Sequence, residues 1–270
     1  MFYLWLALFG CMTGISAVLF GFGGGFVVVP LLYRLLLSSH GADDAVAQSA
    51  MHIAVATSTC VMIVNALMAT GKHYRAGNLI RHYLWPLGGY IGLGAIAGAG
   101  LAMAVSGEMM RYAFIAYLAL TIADCLMRRG FLERADTRAP RRLGRLENTG
   151  GLGIGAIATF LGVGGSVMTV PLLRRCGLSM TQATSMANPL SVPVALAGTF
   201  TYMALAGFSR FDLGPWFIGY VDLLAFAVLT LGSLLGIRLA TPWIGCIPDR
   251  LHARVYIGLL VLVMLGMLVS

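Results

Sequence analysis

Two clusters of glycine carry the most distinctive chemistry in this sequence. Gly21-Phe22-Gly23-Gly24-Gly25 and Gly162-Val163-Gly164-Gly165-Ser166 each interrupt apolar sequence where a helix would otherwise run on. Glycine admits left-handed and extended backbone that other residues resist, and adjacent glycines leave main-chain amides uncovered by side chains. Where a helix starts just beyond such a break, its first amides have no intrahelical acceptor and its positive end favours an anion. Gly23, Gly24, Gly25, Gly164, Gly165 and Ser166 are therefore expected to present backbone donors to one small anion, without lysine or arginine in the bilayer. The competing use of glycine is close helix packing. That reading fits Gly94-x3-Gly98 and Gly232-x3-Gly236, whose spacing by four forms one helical face, as adjacent glycines do not.

Polar side chains after each break form a second candidate set. Ser58 and Asn65 are seven residues apart, about two turns, and share a face. Ser185 and Asn188 stand in the corresponding stretch of the second half, with Thr184 and Ser191 nearby, and Pro189 and Pro193 free carbonyls one turn back. Serine in a membrane helix commonly bonds its own backbone, so the asparagines are the stronger candidates: a buried amide needs partners, and a hydrated cavity supplies them. His52 and Asp222 are candidates for coupling or gating. His52 is read as preceding a span, either in a cavity or at the interface. Asp222 either carries protons or caps a helix start, the second being the simpler reading. Asp124 is expected to pair with Arg128 four residues on. Lys72-His73-Tyr74-Arg75 reads as a topology determinant after a span.

The elements that position these groups must be membrane helices. Of 270 residues, 59% are hydrophobic and only 10% charged, and the mean hydropathy is +0.87, far from water-soluble domains at ~25% charged. Leu84–Val105, Met110–Met127, Phe217–Ala240 and Val255–Val269 are long enough to cross lipid without strand-like alternation. Met1-Phe2-Tyr3 supplies no positive n-region, so the first apolar run is expected to be retained. The net charge of +8 sits in loops between spans, where lipid and topology explain it and nucleic acid is not implied. Cys11, Cys60, Cys125, Cys176 and Cys246 lack disulfide or metal-ligand spacing, and no cofactor, metal or catalytic constellation is expected. The chain is not expected to be an enzyme.

A repeat organises these elements. Gly21–Leu32 reappears as Gly162–Leu173, Ala56-Thr57-Ser58 as Ala183-Thr184-Ser185, and the Gly94 seam as the Gly232 seam. The first copy carries an insertion around Ser38–His52. The expected fold is an all-α polytopic membrane protein of two homologous four-segment repeats. Residues 1–127 form the first, 128–147 an arginine-rich cytoplasmic linker and 148–270 the second. Each repeat is a glycine-broken helix or helical hairpin followed by three transmembrane helices. If the broken segments turn back, every lysine and arginine except Arg34, Arg111 and Arg210 lies on one side. The positive-inside rule prefers that arrangement, which makes the repeats inverted.

The duplicated G-x-G-G-G-x4-P element, the A-T-S element read as opening a span, His73-Tyr74-Arg75-x-Gly77-Asn78 and G-x3-G-x2-L-A together resemble the sulfite exporter TauE/SafE family of bacterial membrane permeases. The resemblance spans essentially the whole chain. It implies a multi-pass protein of the bacterial inner membrane that transports a small sulfur-containing anion such as sulfite, a sulfonate or sulfoacetate, with outward transport the leading direction. A passive anion channel and a non-transporting assembly subunit are the alternatives. The expected partners are that anion and membrane lipid, with no nucleic acid and the oligomeric state open. Ser166, where the family pattern has glycine, and the insertion of the first copy are its departures.

Overall fold

The computed structural model describes residues 2–39, 41, 44–127, 131, 141–206 and 215–268. The chain is almost wholly helical. The first half runs α1 (Phe2–Phe20), α2 (Gly25–Ser39), α3 (Ala45–Gln48), α4 (Ala50–Arg75), α5 (Leu87–Met103) and α6 (Gly107–Met127). The second half runs α7 (Arg145–Thr149), α8 (Gly151–Leu161), α9 (Ser166–Arg175), α10 (Met180–Ala206), α11 (Leu223–Ala240) and α12 (Asp249–Leu268). Among the described residues five helices are long and apolar enough to cross a membrane: α4, α5 and α11 with their adjoining short turns, α6 and α12. The 27-residue α10 is long enough too, but its prolines, hydroxyls and Asn188 make it more polar.

The packing of glycines fixes helix directions. A methyl placed on Gly10 would meet Leu229 O at 2.6 Å, and one on Gly14 would strike Ser233 O, so α1 and α11 run side by side in the same direction. Gly94 and Gly98 abut the main chain of Leu152 and Ala156 in the same way, and Gly155 abuts Ile91. Helices α5 and α8 therefore also run parallel. The Gly94–Gly98 and Gly232–Gly236 seams are packing surfaces, as their spacing implied.

The bundle has two ends. His52, near the start of α4, bonds Ala102 O at the end of α5 at 3.2 Å; Asp222 N bonds Thr57 Oγ1 at 3.0 Å; and Arg111 Nε, near the start of α6, bonds Met267 O at 3.2 Å. At the opposite end Arg174, closing α9, pairs with Asp249 at the start of α12, and Met180 N donates to Asp249 Oδ1 at 2.6 Å. Parallel to α11, α1 leaves the His52 end, and α2 leads back to it through α3 and α4. Parallel to α5, α8 leaves the arginine-rich end, and α9 returns to Arg174. Each broken segment thus turns back toward the end it left. Among the described basic residues, Arg34 and Arg111 lie toward the His52 end, and the others lie toward the opposite one.

Several expectations are corrected. The A-T-S element does not open the second span, because α4 begins at Ala50; His52 lies inside that helix. The insertion of the first copy is a longer α2, the short α3 and this early start of α4. Phe217–Asp222 is not helical: β1 (Phe217–Ile218) pairs antiparallel with β2 (Val221–Asp222) across Gly219 at φ +62°, a conformation that favours glycine. The small ladder departs from an all-α chain. Asp124 bonds Arg175, while its expected pairing with Arg128 falls, like most of the linker, outside the described residues.

Helix α4 is the most enclosed crossing, 67% buried against 39% for the other four candidate spans. Its Thr57, Ser58, Thr59 and Asn65 are fully buried, as are Thr184, Ser185, Asn188 and Ser191 of α10, whereas Leu93, Leu120, Leu231 and Leu262 face outward. These polar groups lie inside an otherwise apolar interior, and large apolar side chains also cover the perimeter. That arrangement suits lipid, where an unsatisfied polar group on the outer face is costly.

Candidate anion site at the two glycine breaks

Both breaks begin as left-handed glycine terminators. Gly162, at φ +67°, closes α8, with its amide donating to Thr159 O at 3.2 Å and the next amide, Val163 N, to Ala158 O at 3.0 Å. This is the pattern by which glycine satisfies a helix C-terminus. Gly21, at φ +73°, does the same for α1, donating to Ala17 O at 3.1 Å. Beyond these caps new helices start at Gly25 and Ser166. The amides of Gly23, Gly24, Gly164 and Gly165 donate to no main-chain carbonyl among the described residues. Pro30 and Pro171 lie inside the second arms, α2 and α9.

The two breaks meet. Gly25 sits directly on Gly162 O, close enough that no side chain fits between them. A methyl on Gly23 would lie 3.0 Å from Met62 Cγ and 3.7 Å from Ser191 Cβ, and one on Gly164 would lie 2.6 Å from Met62 Sδ and 3.2 Å from Ser191 Oγ. Met62 of α4 and Ser191 of α10 therefore stand between the breaks and touch both. Tyr256 of α12 joins them from the side: its ring stacks on Phe22 with centroids 4.8 Å apart, and its hydroxyl donates to Ser166 O at 3.3 Å.

The predicted polar residues divide into those holding the breaks and those left with free donors. Ser58 Oγ donates to Gly162 O at 3.0 Å and to Val55 O at 2.7 Å. Ser185 Oγ donates to Asn78 O at 3.1 Å and Gln182 O at 2.8 Å, away from either break. Asn188 Nδ2 donates to Ala17 O at 3.0 Å and steadies the end of α1. Asn65 abuts Gly24, and its Oδ1 accepts from Ser233 Oγ. Its Nδ2, like Ser166 Oγ, is buried without a hydrogen-bond partner among the described residues. These are the polar donors expected where an anion is to be held.

His52 and Asp222 lie elsewhere. His52 bonds Ala102 O and packs on Tyr220 with ring centroids 5.7 Å apart. Asp222 caps α11, its Oδ1 accepting from Leu224 N at 3.0 Å and Ala225 N at 2.9 Å. Sequence reasoning passed over Met62, Ser233 and Tyr256. Met62 carried a signal, because Ser58, Met62 and Asn65 follow the i, i+4, i+7 spacing of one helical stripe. Ser233 and Tyr256 carried none, since only the folded bundle brings them to the breaks.

Comparison with known proteins identifies the family. The sequence matches the family described as Sulfite exporter TauE/SafE over residues 6–267. A "probable membrane transporter protein" of Haemophilus influenzae is 25% identical over 232 residues, covering 86% of this chain and 85% of that protein. A protein of the same name from Xylella fastidiosa strain Temecula1 is also 25% identical, over 238 residues, covering 86% and 84%. No solved structure matches the chain. A family match over nearly the whole length, on a chain with five membrane-length apolar helices, makes this protein a multi-pass membrane transporter of the sulfite exporter TauE/SafE family.

Proposed function

We propose that this chain is a secondary transporter that exports a small sulfur-containing anion such as sulfite, a sulfonate or sulfoacetate across the bacterial inner membrane. The anion is held where the two glycine breaks meet. The observation that carries the reading is the set of donors left free around one buried spot: the amides of Gly23, Gly24, Gly164 and Gly165, together with Asn65 Nδ2 and Ser166 Oγ. Two helix starts point their positive ends into the same region, so the site favours negative charge without a buried lysine or arginine. The family's description as a sulfite exporter supplies the sulfur chemistry of the substrate.

Alternating access follows from treating the halves as inverted repeats. The paired seams α1–α11 and α5–α8 support this, as do the opposite ends from which the two broken segments enter. Met62 and Ser191 fill the space between the breaks in this conformation, which favours an occluded carrier over an open channel. With the arginine-rich end in the cytoplasm, an inside-negative potential drives anion exit by ~2.3 kcal/mol per charge per 100 mV. Purified protein in proteoliposomes, loaded with radiolabelled sulfite or a panel of sulfonates, tests the reading. Saturable efflux with counterflow is expected; large single-channel currents, or no flux of any panel member, would overturn it.

A further inference from the structure

Two histidines that take no part in the glycine breaks meet at the last turn of α1. His73 Nε2 bonds Val18 O at 2.8 Å and His252 Nε2 bonds Leu19 O at 2.7 Å. These are consecutive carbonyls of a helix end, which lack intrahelical donors. The rings are 1% and 3% exposed. A carbonyl only accepts, so each neutral ring must carry its hydrogen on Nε2, which leaves Nδ1 as a bare acceptor. Both Nδ1 atoms are buried with no hydrogen-bond partner among the described residues. Both rings border one cavity of about 10 Å³, shared with Thr181, Thr184, Ile244 and Gly245, which is room for about one water molecule.

Two unpartnered acceptors beside one water-sized void are an arrangement that a proton satisfies, because it turns one acceptor into a donor. The last carbonyls of α1 favour positive charge there. From α12, Asp249 also favours it; from α9, Arg174 opposes it but is itself paired with Asp249. Burial opposes charge on either ring, and each histidine opposes a second charge on the other. From α10 the cavity receives only Thr181 and Thr184, and the turn before α12 adds the uncharged Trp243, Ile244, Gly245 and Ile247. On α4 the neighbouring Lys72 is half-buried and Arg75 is exposed.

We propose that His73 and His252 form a proton-binding site in which one of the two Nδ1 atoms takes up a proton from the arginine-rich end. Protonation charges the joint holding the end of α1, two residues before Gly21, and so links proton uptake to the position of the first break. The site rests on its own geometry; only its effect on anion movement rests on the proposed transport.

The test is a titration of protein carrying nitrogen-15 histidine in detergent micelles, from about pH 8 to about pH 5. Two rings are expected to show the Nε2–H form at high pH and to take up a first proton jointly, the second following only at lower pH. In His73→Gln and His252→Gln the glutamine keeps an N–H for the carbonyl, and the remaining ring is expected to titrate in one step. The proposal is overturned if both rings stay neutral throughout, or if each titrates alike with and without its partner. Should a glutamine variant fail to fold, the wild-type spectrum still decides between a coupled pair and none. Sulfite efflux against a pH step is a separate reading: flux kept but its pH dependence lost in the glutamine variants supports the link, whereas pH dependence kept in both variants overturns it. Absent sulfite flux would count against the proposed transport and leave the titration to decide the proton site.

Discussion

Arg174 and Arg175 are neighbours in the last turn of α9, each facing a carboxylate, yet their contributions to stability are predicted to differ severalfold. The Arg174 side chain is 2% exposed; its Nη1 lies 2.9 Å from Asp249 Oδ2 and 3.0 Å from Leu178 O, and its Nη2 lies 2.9 Å from Phe131 O. Arg174→Met removes these contacts and strands Asp249, whose side chain is 19% exposed. Breaking a buried pair from one side costs about 3–5 kcal/mol, and because water reaches Asp249 the lower figure, about 3 kcal/mol, is expected. That is roughly 100-fold in the folding equilibrium. The pair of Arg175 with Asp124 is 40% and 31% exposed, so solvent screens it and Arg175→Met should cost at most about 1 kcal/mol. Unfolding in mixed micelles at rising dodecyl sulfate fraction, followed by circular dichroism, measures both. Arg174→Met/Asp249→Asn should lose less than Arg174→Met alone, because the stranded charge is gone while asparagine still accepts from Met180 N. Equal losses for the two single variants would refute the reasoning.

Other consequences are open to simpler measurements. Gly98→Ala drives a methyl into the main chain of Ala156 and should cost about 1–3 kcal/mol, whereas Gly100, with nothing within 4 Å, should accept alanine at no cost; unfolding in mixed micelles distinguishes them. Gly162→Ala combines a left-handed φ with Val55 Cγ1 at 2.8 Å and should destabilise more than Gly77→Ala, which shares the φ but meets open space. A neutral maleimide should label exposed Cys246 well before Cys176, whose thiol burial pushes its pKa up; mass spectrometry of timed samples reads the order. The Gly144 amide, and then Arg141, hold the Glu147 carboxyl below its ordinary range. Its small contribution is thus present above the ordinary carboxylate value and lost as pH falls through the lowered one, and Glu147→Gln should flatten that acid limb of stability.

What the sequence conveyed followed from local pattern. Glycine adjacency marked the breaks, and spacing by four marked the seams. Arginine distribution, counted without coordinates, preferred the turned-back form that the packing of Gly10 on Leu229 and Gly94 on Leu152 independently describes. What remained illegible depends on contacts between distant segments. Nothing near His252 in the sequence says that it shares a cavity with His73, and Lys72-His73-Tyr74-Arg75 reads as a charged loop until His73 is seen turned inward onto Val18. Asp124 found Arg175 across the bundle. Phe217–Asp222 reads as the start of an apolar helix, yet Gly219 turns it into a ladder that ends with Asp222 capping α11.

The central claim, that backbone amides at the breaks hold the anion, is tested most directly at Gly165. Its φ is −68°, which proline adopts unstrained, its amide donates to no main-chain carbonyl among the described residues, and an added methyl meets nothing closer than 3.7 Å. Gly165→Pro therefore deletes one free N–H, while Gly165→Ala keeps it. With radiolabelled sulfite binding measured on folded protein, alanine should leave affinity nearly unchanged, and proline should weaken it by roughly 10–100-fold, the worth of one hydrogen bond to a charged group. Equal sulfite affinity in the two variants would contradict the account.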